Sequence, residues 1–233
     1  KKVHWLPTNP AEDYKLDPEV LERFCITNKD SQKLLILNSP NNPIGYVYNK
    51  KELKNLSSVC KRQKIITIFD SIYGHWEDYD DLPYETLAHF CPSQTIITGG
   101  LSKVFSGGGW RLGFLAIPRE LDPQGELGRA LSFLMSETIS GVNVPLQFAA
   151  VEAYRGGEEV REYLGLSKKI FKFATRYMWQ RLVHMGLHCP KPQGGFYVFP
   201  SFIPFKDRLN KRGIFTSEEL NQILRQENIY VLC

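Results

Sequence analysis

Two short apolar runs with a helical pattern between them constrain the fold of this chain more than any other feature. Residues 33–37 (KLLIL) and 65–69 (IITIF) both end at polar residues, which is typical of buried strands. Between them, Asn49 and Glu52 have the spacing of a capping box, and apolar residues follow at helical intervals. This order predicts an α/β fold with a mostly parallel sheet that is covered by helices on both faces.

The same alternation continues to about residue 150, and the pattern then changes. Asp17 followed by Pro18 predicts the start of a helix. The other predicted elements are a helical stretch at 84–90, strands at 95–98 and 112–117, mostly helix over 144–187, strands at 195–199 and 228–233, and a helix that begins at Thr216. The change predicts a larger unit over residues 1–150 and a smaller α+β unit over 151–233.

Charge and hydropathy exclude two classes of partner. The chain has 29 Lys and Arg residues against 25 Asp and Glu residues, and because the two signs are interspersed we expect no nucleic-acid groove. The longest stretch without a charge, residues 138–151, is short and contains Pro145, so we expect no membrane span.

The cysteines and the two ends of the chain narrow the class of protein further. Five cysteines, an odd number in widely spaced positions, fit a reducing compartment and predict no metal site. The first residues lack the apolar core of a signal peptide. The last predicted strand, 228–233, is not followed by a turn, and the sequence therefore predicts a fragment that is cut at both ends.

Three polar segments follow predicted strands, at the edge where open α/β sheets bind ligands. They are residues 38–45 (NSPNNPIG), 70–73 (DSIY) and 99–113 (GGLSKVFSGGGWRLG). Taken singly, each has an ordinary explanation as a turn, a helix cap or a solvated lysine. The third segment is not a phosphate-binding P-loop, because Ser102 and not glycine precedes Lys103.

The order and spacing of these segments resemble the class I and II aminotransferases, which are pyridoxal-phosphate (PLP) enzymes of fold type I. Residues 16–19, 145–150 and 193–197 are similar to further segments of that family, so the resemblance covers nearly the whole chain. It implies that residues 1–150 are the second part of the large PLP-binding domain and that residues 151–233 are part of the small domain.

The resemblance also implies a role for each matching residue. Lys103 would form the imine with the cofactor aldehyde and then move a proton between the substrate α-carbon and the cofactor. Asp70 would keep the pyridine nitrogen protonated, which makes the ring an electron sink. Asn42 and Tyr73 would donate to the phenolic oxygen of the ring, and Arg111 would bind the phosphate.

The chain departs from the family pattern at the phosphate. The family carries Ser or Thr three residues before the lysine, where this chain has Gly100. We therefore expect either a poorer phosphate site or compensation by Ser102, which we include among the cofactor-binding residues, or by Ser106. For Tyr197 two interpretations stay open: it lines the substrate side of the site, or it packs in the core.

The implied function is a ping-pong aminotransferase that acts on an amino acid and a 2-oxo acid, in a cytoplasmic protein that is a homodimer at full length. The family's stacking aromatic and the arginine for the substrate carboxylate have no counterpart in these 233 residues. Three alternatives stay open: a lyase or cyclopropane-forming synthase of the same fold, an aminotransferase-like sensor domain of a transcription regulator, and a non-catalytic remnant.

Overall fold

A four-stranded sheet forms the centre of the first half of the chain. The computed structural model describes residues 2–29, 31–76 and 84–232. The strands are β1 (Leu34–Asn38), β2 (Ile66–Asp70), β3 (Thr95–Gly100) and β4 (Gly113–Ala116), and they lie in this order in the sheet. β1, β2 and β3 are parallel and β4 is antiparallel to β3, which confirms the mostly parallel sheet.

Seven α-helices are described, and their bounds follow the capping signals of the sequence where such signals exist. They are α1 (Pro18–Thr27), α2 (Lys50–Arg62), α3 (Glu126–Ile139), α4 (Val144–Arg155), α5 (Glu158–His184), α6 (Lys206–Asn210) and α7 (Ser217–Gln226). Asp17 caps α1, and the predicted capping boxes at Asn49 and Thr216 are both formed. The helical texture predicted for residues 144–187 is confirmed by α4 and α5.

One face of the sheet carries the main hydrophobic core. Leu37 and Phe69, which are register partners on β1 and β2, pack with buried residues of α1 and α2 such as Leu21, Leu53 and Leu56. Phe69, Leu53 and Leu56 have no exposed surface. These contacts fix β1 and β2 relative to each other from one side.

The other face of β1 is open in the described residues. Leu34 and Ile36 expose 58% and 67% of their surface, although β1 was predicted as a buried strand. They alternate with Leu35 and Leu37, which pack on the core side, so β1 is buried on one face only.

Three local predictions were wrong. Residues 84–90 contain only a short 3₁₀ helix, Leu87–His89. Residues 195–199 form no strand, and the Gly195 amide donates instead to the Trp76 carbonyl in a neighbouring loop. Residues 229–232 form no strand either, and Cys233 lies outside the described residues. The helix α3 was not predicted.

The division of the chain at residue 150 stays a prediction, and α4 is continuous across that position. Among the described helices, none has the length and apolar character that crossing a membrane requires. No group of three or more His, Cys, Asp or Glu residues that could hold a metal ion occurs in the described parts of the chain.

Candidate active site

The site begins with a row of three polar residues at the carboxyl ends of the parallel strands. Asn38 on β1, Asp70 on β2 and Thr98 on β3 are register partners, so their side chains leave the sheet on the same face. All three are half-buried. The row lies on the face opposite the main core, beyond the apolar pairs of the same strands.

Asp70 is held by its two neighbours in this row. The Asn38 amide Nδ2 donates to Asp70 Oδ2 at 3.1 Å, and the Thr98 hydroxyl donates to Asp70 Oδ1 at 3.0 Å. The backbone amide of Ile72 also donates to Oδ1, at 3.2 Å. The carboxylate predicted to face a pyridine nitrogen is therefore fixed in orientation by three donors.

Asn42 and two tyrosines form a second polar group beside Asp70. The Asn42 amide Nδ2 lies 3.5 Å from the hydroxyl of Tyr73 and 3.4 Å from that of Tyr197, and the two hydroxyls are 3.5 Å apart. Burial, followed by the hydrogen bond with Tyr197, raises the pKa of Tyr73 above its ordinary value. Its phenol consequently keeps its proton near neutral pH and can donate to an acceptor. The structure thus places Tyr197 with the predicted site residues.

Lys103 is linked to this polar group by the aromatic ring of Phe196. Its Nζ lies over the ring of Phe196, 5.6 Å from the centroid, and that ring packs edge-on against Tyr73 with centroids 5.5 Å apart. Lys103 is half-buried. A cation over an aromatic face is attracted by the ring quadrupole, so Phe196 contacts both the ammonium of Lys103 and the ring of Tyr73.

Arg111 and Ser102 belong to the same loop as Lys103. The loop closes where the Leu101 amide donates to the Leu112 carbonyl at 3.2 Å. Arg111 has a left-handed backbone, with φ of 56°, and its exposed guanidinium donates to the Gly108 carbonyl at 2.8 Å. Among the described residues, it makes no hydrogen bond or ion pair with another predicted site residue. Ser102 is half-buried in the loop.

The predicted compensating hydroxyl of Ser106 already has a partner. Its Oγ lies 2.6 Å from the Tyr163 hydroxyl on α5. Gly100, the position where the family carries Ser or Thr, has no room for a side chain, because an added Cβ would lie 2.7 Å from the Leu112 carbonyl oxygen. Ser102 is the compensating candidate that remains without such a bond among the described residues.

Residues 193–197 complete the site from the second half of the chain. The amides of Gln193 and Gly194 donate to the Gly45 carbonyl at 2.7 and 3.0 Å. A Cβ at Gly194 would lie 2.6 Å from the Trp76 carbonyl oxygen, so only glycine allows this close approach. The segment therefore lies between Trp76 and the loop of residues 38–45, which we call the Asn-Pro loop. This position brings Phe196 and Tyr197 to the site.

Two residues of the site had no predicted role. Asn38 lies in the first polar segment, but no contact with Asp70 was predicted for it. Thr98 was predicted only as part of a strand. Their signal is positional, because both occupy the same register as Asp70 on the two neighbouring strands.

With this geometry in view, comparisons with known proteins decide the family. The family model described as aminotransferase class I and II matches residues 2–233. The chain belongs to the class I and II aminotransferase family. An aspartate aminotransferase of Pyrococcus abyssi is 32% identical over 95% of this chain and 53% of its own length. One from Geobacillus stearothermophilus is 34% identical over 81% of the chain and 46% of its own length.

Solved structures give the same result for the fold of this aminotransferase-family chain. An aromatic aminotransferase from Pyrococcus horikoshii superposes with a TM-score of 0.79 at 29% identity, covering 97% of this chain and 57% of that one. The aspartate aminotransferase of Thermus thermophilus with maleate gives a TM-score of 0.75 at 27% identity, over 90% and 54%. The chain spans about half the length of the relatives it matches.

Proposed function

We propose that the protein to which this chain belongs is a PLP-dependent amino-acid aminotransferase. The observation that carries the proposal is a set of contacts: Asp70 is held by two side-chain donors, Asn42 contacts Tyr73, and Lys103 lies over Phe196, whose ring packs against Tyr73. The three segments are distant in sequence, and family membership alone would not require that each keep its chemically suited residue.

The donors and acceptors of the site fit this cofactor. Asp70 offers a carboxylate for a protonated ring nitrogen. Asn42 and Tyr73 offer an amide N–H and a phenol O–H to the ring oxygen, and Lys103 offers an amine to the aldehyde. Arg111 has an exposed guanidinium for a phosphate, which suits its planar fork.

Each of these residues has a definite task in a transamination. PLP, when bound, supplies an electron sink for the negative charge that develops at the substrate α-carbon. Asp70 would keep the proton on the ring nitrogen, and Tyr73 would donate from its phenol, whose pKa burial raises further above neutral pH. Lys103 Nζ would move a proton from the substrate α-carbon to the cofactor in one half-reaction, and in the reverse direction in the other.

The substrates follow from the proposed reaction. The donor is an amino acid and the acceptor is a 2-oxo acid. Relatives are named as aspartate and aromatic aminotransferases, which supports these two classes of donor as the first to test. Assembly as a homodimer and a cytoplasmic location are proposed from the family resemblance alone.

The test follows both the lysine and the reaction in the full-length protein. Borohydride reduction in the presence of PLP, followed by peptide mapping, is expected to label Lys103. A panel of amino acids with 2-oxoglutarate is expected to yield glutamate above the background of free PLP. Lys103→Ala should abolish both signals, while Lys54→Ala, at an exposed position on α2, should change neither. A label on another lysine, or full turnover by Lys103→Ala, would refute the proposal.

A further inference from the structure

We infer that Asn38 and Thr98 are positioning residues that hold the Asp70 carboxylate so that its Oδ2 atom faces the ring nitrogen. The inference rests on the proposed function, since it concerns the same cofactor. Neither residue belongs to the groups predicted to touch the cofactor. Both act through Asp70, which they flank on the two neighbouring strands.

The two oxygens of Asp70 are not equivalent. Oδ1 accepts from the Thr98 hydroxyl at 3.0 Å and from the Ile72 amide at 3.2 Å, which occupies its two lone pairs. Oδ2 accepts only from Asn38 Nδ2, at 3.1 Å, among the described residues. One acceptor position is left open on Oδ2, so this oxygen is the one able to accept from a cofactor N–H.

Asn38 cannot reverse its amide without losing a second bond. Its Oδ1 accepts from the backbone amide of Asn42 at 2.7 Å, and this bond directs Nδ2 towards Asp70. The Nδ2 atom also donates to the Asp70 backbone carbonyl at 3.2 Å. One side chain therefore ties the loop that carries Asn42, on the ring-oxygen side, to the carboxylate on the ring-nitrogen side.

Such a tie matters because the charged bond to a ring nitrogen depends on direction. A carboxylate that turns partway about its χ2 torsion would lose these donors and would aim neither oxygen at the ring nitrogen. Groups that are fixed before the ligand arrives avoid the cost of ordering at the moment of binding. The register of β1, β2 and β3 supplies this fixation.

The experiment compares cofactor affinities and does not depend on turnover. Full-length protein is titrated with PLP and with its 1-deaza analogue, in which carbon replaces the ring nitrogen, and the ratio of the two dissociation constants is measured. Thr98→Val removes the hydroxyl at nearly constant volume and is expected to lower the preference for PLP about tenfold, the scale of one hydrogen bond to a charged group. Thr98→Ser should keep the preference within about twofold.

A matched control separates positioning from a general weakening of β3. Thr95 lies on the same strand and donates to the Cys91 carbonyl at 2.7 Å, so Thr95→Val also loses a buried hydroxyl bond. It should lower the free energy of unfolding but leave the PLP preference unchanged. Asn38→Ala provides the second variant, with the same expected loss of preference as Thr98→Val.

The outcomes distinguish this inference from the proposed function. Equal affinities for the two compounds in the unmodified protein would overturn the role of Asp70 and the positioning with it. A clear preference that Thr98→Val and Asn38→Ala both retain would overturn the positioning alone. A loss of preference equally large in Thr95→Val would also refute it, because the effect would then belong to the strand and not to Asp70.

Discussion

Replacing Gly100 with serine would restore the hydroxyl that the family carries near the phosphate. We nevertheless expect this variant to be less stable and to bind PLP no more tightly. The Cβ of a residue at this position would lie 2.7 Å from the Leu112 carbonyl oxygen and 3.1 Å from the Gly113 Cα. Both atoms are backbone, at the start of β4, so no side-chain rotation relieves the contact. The β3–β4 pair must separate locally to admit the new side chain.

The net effect on PLP binding depends on the cost of the steric contact compared with the gain from the new hydroxyl. Overpacking of this kind costs about 1–3 kcal/mol. The Leu112 carbonyl also accepts the Leu101 amide that closes the lysine loop, and weakening that bond adds about 0.5–1.5 kcal/mol. Together they amount to about 1.5–4.5 kcal/mol. A new hydroxyl bond to a phosphate would contribute about 1.5–3 kcal/mol, which the middle of that range already offsets, so Gly100→Ser should bind PLP no more tightly than the unmodified protein.

Gly109 provides the control in the same loop, because a Cβ there meets nothing within 4 Å. Denaturant unfolding of the apoprotein should show the full loss of stability for Gly100→Ser and a change within about 0.5 kcal/mol for Gly109→Ser. PLP titration gives the affinity. If Gly100→Ser matched the unmodified protein in stability and bound PLP more tightly, the steric argument would be wrong.

Two further predictions concern ionisable groups. Asp70→Asn should weaken PLP binding at least as much as Thr98→Val does, and transamination should fall by about 10²–10⁴-fold, because a preorganised charge is lost; a near-normal rate would contradict its role. Burial raises the pKa of the Cys60 thiol to about 11 from its ordinary value near 9. The unfolded thiol ionises first, so the free energy of unfolding should fall by about 2 kcal/mol between pH 9 and 11. Cys60→Ala should show a shallower decline in denaturant unfolding, and an identical slope would argue against the shift.

The sequence was sufficient for the elements whose signals are local. Apolar runs that stop at polar residues predict the strands β1 and β2. A capping box at Asn49 predicts α2, and the structure contains this capping box. The Asn42–Tyr73 contact could be anticipated because both residues follow parallel strands, whose carboxyl ends lie at one edge.

Other features depend on contacts that no local pattern records. Residues 195–199 have the alternation of a strand, but the Gly195 amide donates to the Trp76 carbonyl and the Phe196 ring packs against the Trp76 ring. The helix α3 begins after Gly125, which has a left-handed backbone and no side chain to cap the helix. The obstruction at Gly100 arises from the antiparallel approach of β4, which composition and spacing do not reveal.

Asn38 and Thr98 could not be identified from the sequence alone, because their role depends on how the strands pair. On the face opposite the core, β1 reads Leu34, Ile36, Asn38 and β2 reads Ile66, Ile68, Asp70 at alternate positions. Apolar character thus gives way to polar at the same level on both strands, and Thr98 continues that level on β3. Because a shift by one residue moves every side chain to the other face, the coincidence becomes visible only once the pairing is known. A change to polar residues at a single level across three parallel strands then indicates a ligand edge, independently of any family motif.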